Sequence, residues 1–373
     1  MIKTGDTVLW QRFPIHIATT LPQLPHFAIY SDVPDIVAGT PIIDILANTK
    51  RTTKESSQFE TYRQQQAQLA EHANVELTEA GITDGWQLDK YKNIPMVAHG
   101  YRAYPTAKWY IFMDADTYIL WPNMMRWSSS INHEDMLYMG LVTYLGGKRF
   151  RLCTVDPAWL CLVRLLGRLL ARNLAWQMNM KSTRKVIVAV IISCLMLFVI
   201  EVPFPCCPGR TTGFKNENWC KDVVTFHHLT AHDIEKLYEF ERKYPRDYPI
   251  LSKDVYHEFV CLIFVTTAKM VGITWQTSEN IRITVRRIQK GPQVTAYNSY
   301  DNCSTGCQGW EECMQFRYRP GYCGLSNEIR LGLKHMDGDN SFSSFWRLDR
   351  IRQLRKSSGC DPIDAVQEEG AFF

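Results

Sequence analysis

Two carboxylates two positions apart close the stretch Trp109–Asp116, WYIFMDAD. Residues at i and i+2 of an extended chain point the same way, so Asp114 and Asp116 face one place. Burying that much negative charge without a partner is costly. A hard divalent cation that also binds a diphosphate is a partner that fits. The same spacing occurs in solvated turns and helix caps. Here it follows an almost unbroken apolar and aromatic run, Trp109–Met113, which reads as a buried central strand. The open end of such a strand is where ligands of α/β sheets sit. His227 and His228 stand at the end of a second short predicted strand, Val223–Phe226. A His at that point is able to complete a metal site. The other reading is a core or hydrogen-bonded His, and spacing alone favours it.

The elements that must position these residues follow an alternating pattern. Phe27–Tyr30 reads as a strand stopped by Ser31-Asp32, and Val37–Gly39 and Pro41–Leu46 continue a short α/β pattern. Residues 51–80 are polar with helical spacing. A helix is predicted from Gly85 towards Tyr104, ended by Pro105, with the Asp-x-Asp strand after it. Strand, helix, strand with acids at the last strand's end is a Rossmann-like nucleotide-binding layout. There is no Gly-x-Gly-x-x-Gly and no P-loop, which argues against dinucleotide-binding and ATP-hydrolysing classes. Thr230 reads as the N-cap of a helix over Ala231–Lys243, with Asp233 in its first turn.

The chain of 373 residues is long enough for two domains, and its net charge of +4 without a basic tract gives no sign of a nucleic-acid partner. Twelve cysteines are many for a cytosolic enzyme. Cys303, Cys307, Cys313 and Cys323 cluster without an interleaved His, so a small module with two disulfides is expected rather than a zinc site. Its connectivity is open, and Cys220 and Cys360 remain to pair or stay free. Asn302-Cys303-Ser304 is an N-glycosylation sequon. These features point to a secretory compartment, although the N-terminus has no signal peptide or anchor pattern. Asp361–Phe373 is expected to be disordered.

Past Gly147 the texture changes. Arg149–Pro208 shows no clear strand–helix alternation, and Val186–Ile200 is an apolar run interrupted only by Ser193, with Arg184 and Lys185 before it. On its face it is a membrane-helix candidate, shorter than the ~20 residues a span needs.

IKTG, FAIYSD followed by VAG, GWQLDKYKNIPM, AKWYIFMDADTYI and WCKDVVTFHHL resemble, in order, motifs of glycosyltransferase family 31, most closely its core-1 β1,3-galactosyltransferase-like (N-acetylgalactosaminide β1,3-galactosyltransferase) branch. The similarity covers residues 1–148 and 211–259, and the four-Cys segment is similar to the PAN/apple-like tail of some members. The resemblance implies a GT-A fold over 1–259, a linker over 260–292, a four-Cys module over 293–335 and a tail over 336–373. It implies an inverting transfer of galactose from UDP-galactose to a glycan or glycoprotein acceptor of the O-linked N-acetylgalactosamine type. A Mn²⁺ ion and a type II Golgi membrane protein with a lumenal catalytic domain come with it. Asp114 and Asp116 match the family's Asp-x-Asp, both at the metal and Asp114 also at the donor nucleotide, with Asp116 favoured as the direct ligand. His227 matches the metal-binding His, with His228 as the alternative. Asp32 matches an acid near the nucleotide, and Lys92, or Lys90, a lysine near the donor. The family's catalytic base lies after an HGGSG-type loop, within what is here 149–210, where neither feature is present.

A reading-frame error would account for that departure. Read from each codon's third base, Leu152–Cys161 can give MHGGSGMAMS, and Ala175–Ile192 can give LANEYEEYTQSNCCGDY, the family's missing loop and acidic segment. Ala268–Gln276 with Thr277 behaves alike. Trp159, Met178 and Met180 leave no codon choice, and the shifted reading survives them. Val186–Ile200 and six cysteines would then be artefacts of the frame. Two competing readings are a non-catalytic membrane protein, with a true span at 186–200 and a Cys-rich binding module, and an enzyme using another UDP-sugar.

Overall fold

In the computed structural model, the described residues are 1–70, 84–133, 138–145, 150–162, 214, 218–259, 273–274, 298–329, 333–334 and 343–357. The chain forms two compact units, residues 1–206 with 224–243, and residues 207–223 with 244–373.

The first unit's strands are mostly short and partly apolar, β8 being the long exception: β1 (Ile2–Lys3), β2 (Ile29–Ser31), β3 (Asp35–Val37), β4 (Thr40–Asp44), β5 (Trp109–Asp114), β6 (Tyr118–Ile119), β7 (Tyr138–Leu145), β8 (Phe150–Leu162) and β9 (Thr225–Phe226). Seven form one sheet in the order β3-β4-β2-β1-β5-β8-β7. Its centre is parallel, with β1 between β2 and β5 and β4 beyond β2. Lys3, Ser31, Asp44 and Asp114 therefore all end at one edge. Parallel strands are covered on both faces, and β5 shows it. Tyr110 and Phe112 pack with Met96 of the helix Asp89–Ala103 on one face. Met113 packs with Leu9, Phe13 and Ile29 on the other, where the short helices Leu9–Arg12 and Pro14–Ala18 lie.

The predicted helix before β5 is present and ends at Tyr104, as Pro105 requires. Ala231–Lys243 is a helix whose start is a reciprocal cap. The Asp233 backbone N–H donates to Thr230 Oγ1 (3.2 Å), and the Thr230 N–H donates to Asp233 Oδ2 (2.9 Å). One difference concerns β8, where the sequence shows no strand pattern. Phe150–Leu162 nevertheless pairs antiparallel with β5 and β7. The open edge of β5 carries unpaired backbone groups that an extended segment satisfies whatever its side-chain pattern.

In the second unit the four clustered cysteines form two disulfides, Cys303–Cys323 and Cys307–Cys313. They pack with Phe316 and Leu325 beside the antiparallel strands Gln315–Arg319 and Tyr322–Ser326. Cys220 is disulfide-bonded as well. Asn302 lies half-buried in the first turn of the helix Tyr300–Gln308, its backbone N–H donating to the cap residue Ser299 (3.1 Å). Val186–Ile200, Cys360 and Asp361–Phe373 lie outside the described residues, as does nearly all of 260–292. Among the described residues no helix is long and apolar enough to cross a membrane.

Candidate metal centre

Register brings the site together. β1 and β5 pair with Lys3 opposite Asp114. Parallel partners project to the same side, and Lys3 Nζ lies 3.0 Å from Asp114 Oδ1. Beyond Asp114 the chain turns into β6, which pairs antiparallel with β9, Tyr118 opposite Phe226. The next residues of β9's strand, His227 and His228, therefore run back alongside Thr117 and Asp116. The Leu229 N–H donating to the Asp116 carbonyl (3.0 Å) closes this pairing. His228 has φ 59°, a left-handed conformation uncommon outside glycine. That turn lays its ring on His227, with centroids 3.8 Å apart.

Asp116 is the hub. His227 Nε2 lies 3.2 Å from its Oδ1, His228 Nδ1 3.8 Å from its Oδ2, and Arg12 Nη1 3.0 Å from the same Oδ2. The contact at Oδ1 lacks hydrogen-bond geometry, so this buried oxygen is left without a hydrogen bond. Burial alone would raise the Asp116 pKa. His227, His228 and Arg12 outweigh it and hold the carboxyl well below the ordinary range. One ligand atom from each of Asp116, His227 and His228 lies within 4.8 Å of the others, a group able to hold a metal ion. The orphaned oxygen and this convergence fit a cation. A carboxylate with two imidazoles suits a first-row transition ion better than Mg²⁺ or Ca²⁺. Asp114 stands 3.9 Å from His227 Nε2 but faces Lys3 more closely.

Asp32 and Lys92 lie elsewhere on the same sheet edge. Both side chains are fully buried and paired, Lys92 Nζ 2.8 Å from Asp32 Oδ2 and 2.9 Å from Asp89 Oδ1. Lys92 also donates to the Thr4 carbonyl (2.8 Å), and Asp32 Oδ1 accepts from the Asp6 N–H (2.8 Å). Burial would lower the Lys92 pKa, but the charges of Asp32 and Asp89 raise it. The pair thus holds the Thr4-Gly5-Asp6 turn, and a Cβ on Gly5 would sit 3.4 Å from Lys92 Nζ. Lys90 is exposed, its ammonium 5.0 Å from the centre of the Tyr91 ring.

Neither residue type nor spacing singles out three residues of this surround: Lys3, although it lies within IKTG, Arg12 and His16. The buried His16 ring donates from Nε2 to the carbonyl of Ala115, between the two acids (2.9 Å), which leaves Nδ1 to accept from the Thr20 hydroxyl (2.8 Å). Burial lowers its pKa from 6.5 to about 4. The unfolded chain takes up a proton near pH 6.5 and the folded one resists until about 4. His16's contribution is therefore intact above pH 6.5 and is lost as pH falls to about 4, roughly 3 kcal/mol in all. Asp6 runs the other way, its pKa raised to about 7 by burial and by Asp32 and Asp35. Its folded form keeps a proton that the unfolded form sheds, so its contribution grows as pH falls. Comparison with His16→Gln isolates the His16 part. In urea unfolding the wild type should lose more stability than the variant between pH 7 and 5, and parallel curves would refute a neutral buried His16.

No known protein-family model matches the chain, and no curated protein matches it.

Proposed function

We propose that the chain is an inverting, Mn²⁺-dependent glycosyltransferase of GT-A fold, of the glycosyltransferase family 31 kind, transferring galactose from UDP-galactose to a glycan acceptor. The observation that carries this reading is Asp116 with His227 and His228 at the carboxyl ends of the sheet's central parallel strands. Asp116, His227 and His228 would hold the ion, which supplies Lewis-acid neutralisation of a diphosphate leaving group. Lys3 fixes Asp114 beside it, and His16 fixes the carbonyl between the two acids, so the acids are oriented before any ligand arrives. The Asp32–Lys92 pair shapes the neighbouring turn, whose backbone faces the same edge. The acceptor hydroxyl still needs a base, whose place in the family falls within 149–210. Disulfides and the Asn302 sequon support a secretory, Golgi-lumenal setting.

The donor half is testable without the base. Isothermal titration of the full chain should show UDP binding that requires Mn²⁺ and vanishes with EDTA. Absence of Mn²⁺-dependent UDP binding would overturn the reading. Sequencing the cDNA across the codons for Gly147–Thr212 tests the frame. In-frame HGGSG and CCGDY would restore the acceptor half, and a match to the present sequence would leave a chain lacking it.

A further inference from the structure

We propose that Arg12 is an exchangeable counterion of the metal centre, holding Asp116 while no cation is bound and turning to the anionic oxygens of a diphosphate when one is. This rests on the reading of Asp116, His227 and His228 as metal ligands.

The two cations beside the two acids are not equivalent. Lys3 sits on a central strand, 6% exposed, and its partner is set by strand register. Arg12 ends a four-residue helix, and its side chain is 44% exposed, so it can leave Asp116 for solvent without disturbing the core. Arg12 also occupies a particular atom. Its Nη1 is 3.0 Å from Asp116 Oδ2, the oxygen that His228 Nδ1 faces at 3.8 Å. A cation held by Asp116 with His227 and His228 therefore lies within one carboxylate group of the guanidinium on Oδ2. Like charges at such range repel strongly in a partly buried site, and the more mobile group yields.

The balance of charge then names the ligand class. Two carboxylates are matched by Lys3 and Arg12, while a divalent ion adds two positive charges. A displaced guanidinium beside that ion calls for a polyanion whose oxygens bind the metal and accept a planar fork of N–H donors. A diphosphate ester meets both demands.

The test uses the full chain as wild type, Arg12→Gln and Arg12→Lys, with two probes: Mn²⁺ alone, followed by the electron paramagnetic resonance of the free ion, and UDP at saturating Mn²⁺. Arg12→Gln should bind Mn²⁺ alone at least as tightly as wild type, because its competitor is gone. It should bind UDP about tenfold more weakly, because the charged fork is gone. Arg12→Lys should keep wild-type Mn²⁺ affinity and fall between the two for UDP. Weaker Mn²⁺ binding by Arg12→Gln would make Arg12 a scaffold of the site and overturn the proposal, as would equal UDP affinity in all three proteins. Failure of the metal reading looks different, since the wild type itself would then retain no Mn²⁺.

Discussion

Asp116→Ala removes Mn²⁺ binding, with affinity falling about a hundredfold or more. Asp116 is the only carboxylate in the three-residue group, and it contributes a buried oxygen that no hydrogen bond satisfies. Its neighbours keep it ionised. The variant should still fold. The groups it strands are Arg12, whose side chain is half-exposed and returns to water, and the rings of His227 and His228, so the loss of stability should be about 1–3 kcal/mol. Asp114→Asn is the contrast. Asp114 faces Lys3 more closely than it faces His227, so its replacement should weaken Mn²⁺ binding by far less. Equal losses in the two variants, read by the free-Mn²⁺ signal, would show that Asp114 coordinates directly and that the centre is not the Asp/His/His group.

Lys92→Met lowers stability by about 3–5 kcal/mol, because it leaves Asp32 buried without its counter-charge. Neither side chain reaches solvent. The double variant Lys92→Met/Asp32→Asn should recover much of that loss, since a buried charge no longer remains. Urea midpoints of the four proteins in this cycle measure the coupling. The double variant also separates two roles. If the pair shapes the Thr4-Gly5-Asp6 turn, Mn²⁺ affinity should survive in it while UDP binding weakens with the turn's geometry. No recovery in the double variant would mean that Asp89 and Thr4, the other partners of Lys92, carry the stability.

What could be read from the chain divides along physical lines. β5 was legible because a strand buried on both faces is apolar at every position, and its acids stand out against that run. The helix of residues 89–103 was legible from its stop at Pro105, and the helix of residues 231–243 from Thr230 and Asp233. The association of His227 with Asp116 was not legible from spacing. It depends on two strands of two residues each, β6 and β9, too short to show alternation and far apart in the chain. Only the resemblance pointed to it, and His228's part follows from a left-handed turn that no residue type announces. Lys3 and Arg12 look like any surface cations until the register sets Lys3 beside Asp114 and the helix end sets Arg12 beside Asp116. The four clustered cysteines announced two bridges by number, but their pairing depends on how the helix of residues 300–308 lies against the following hairpin, which spacing does not encode.

The central strand of the seven-stranded sheet is also that sheet's shortest. Ile2–Lys3 joins β2 to β5, and the Met1 backbone nitrogen donates to the Ile111 carbonyl 110 residues away (2.8 Å). The two sides of the sheet therefore have no local route to each other. Each must take shape, and the chain between them must close its loop, before two residues can bridge them, so the loop-closure entropy falls ahead of the contacts that offset it. Late, slow assembly of this sheet is the expected consequence, and until it happens the edges of β2 and β5 stand open to pairing with other chains.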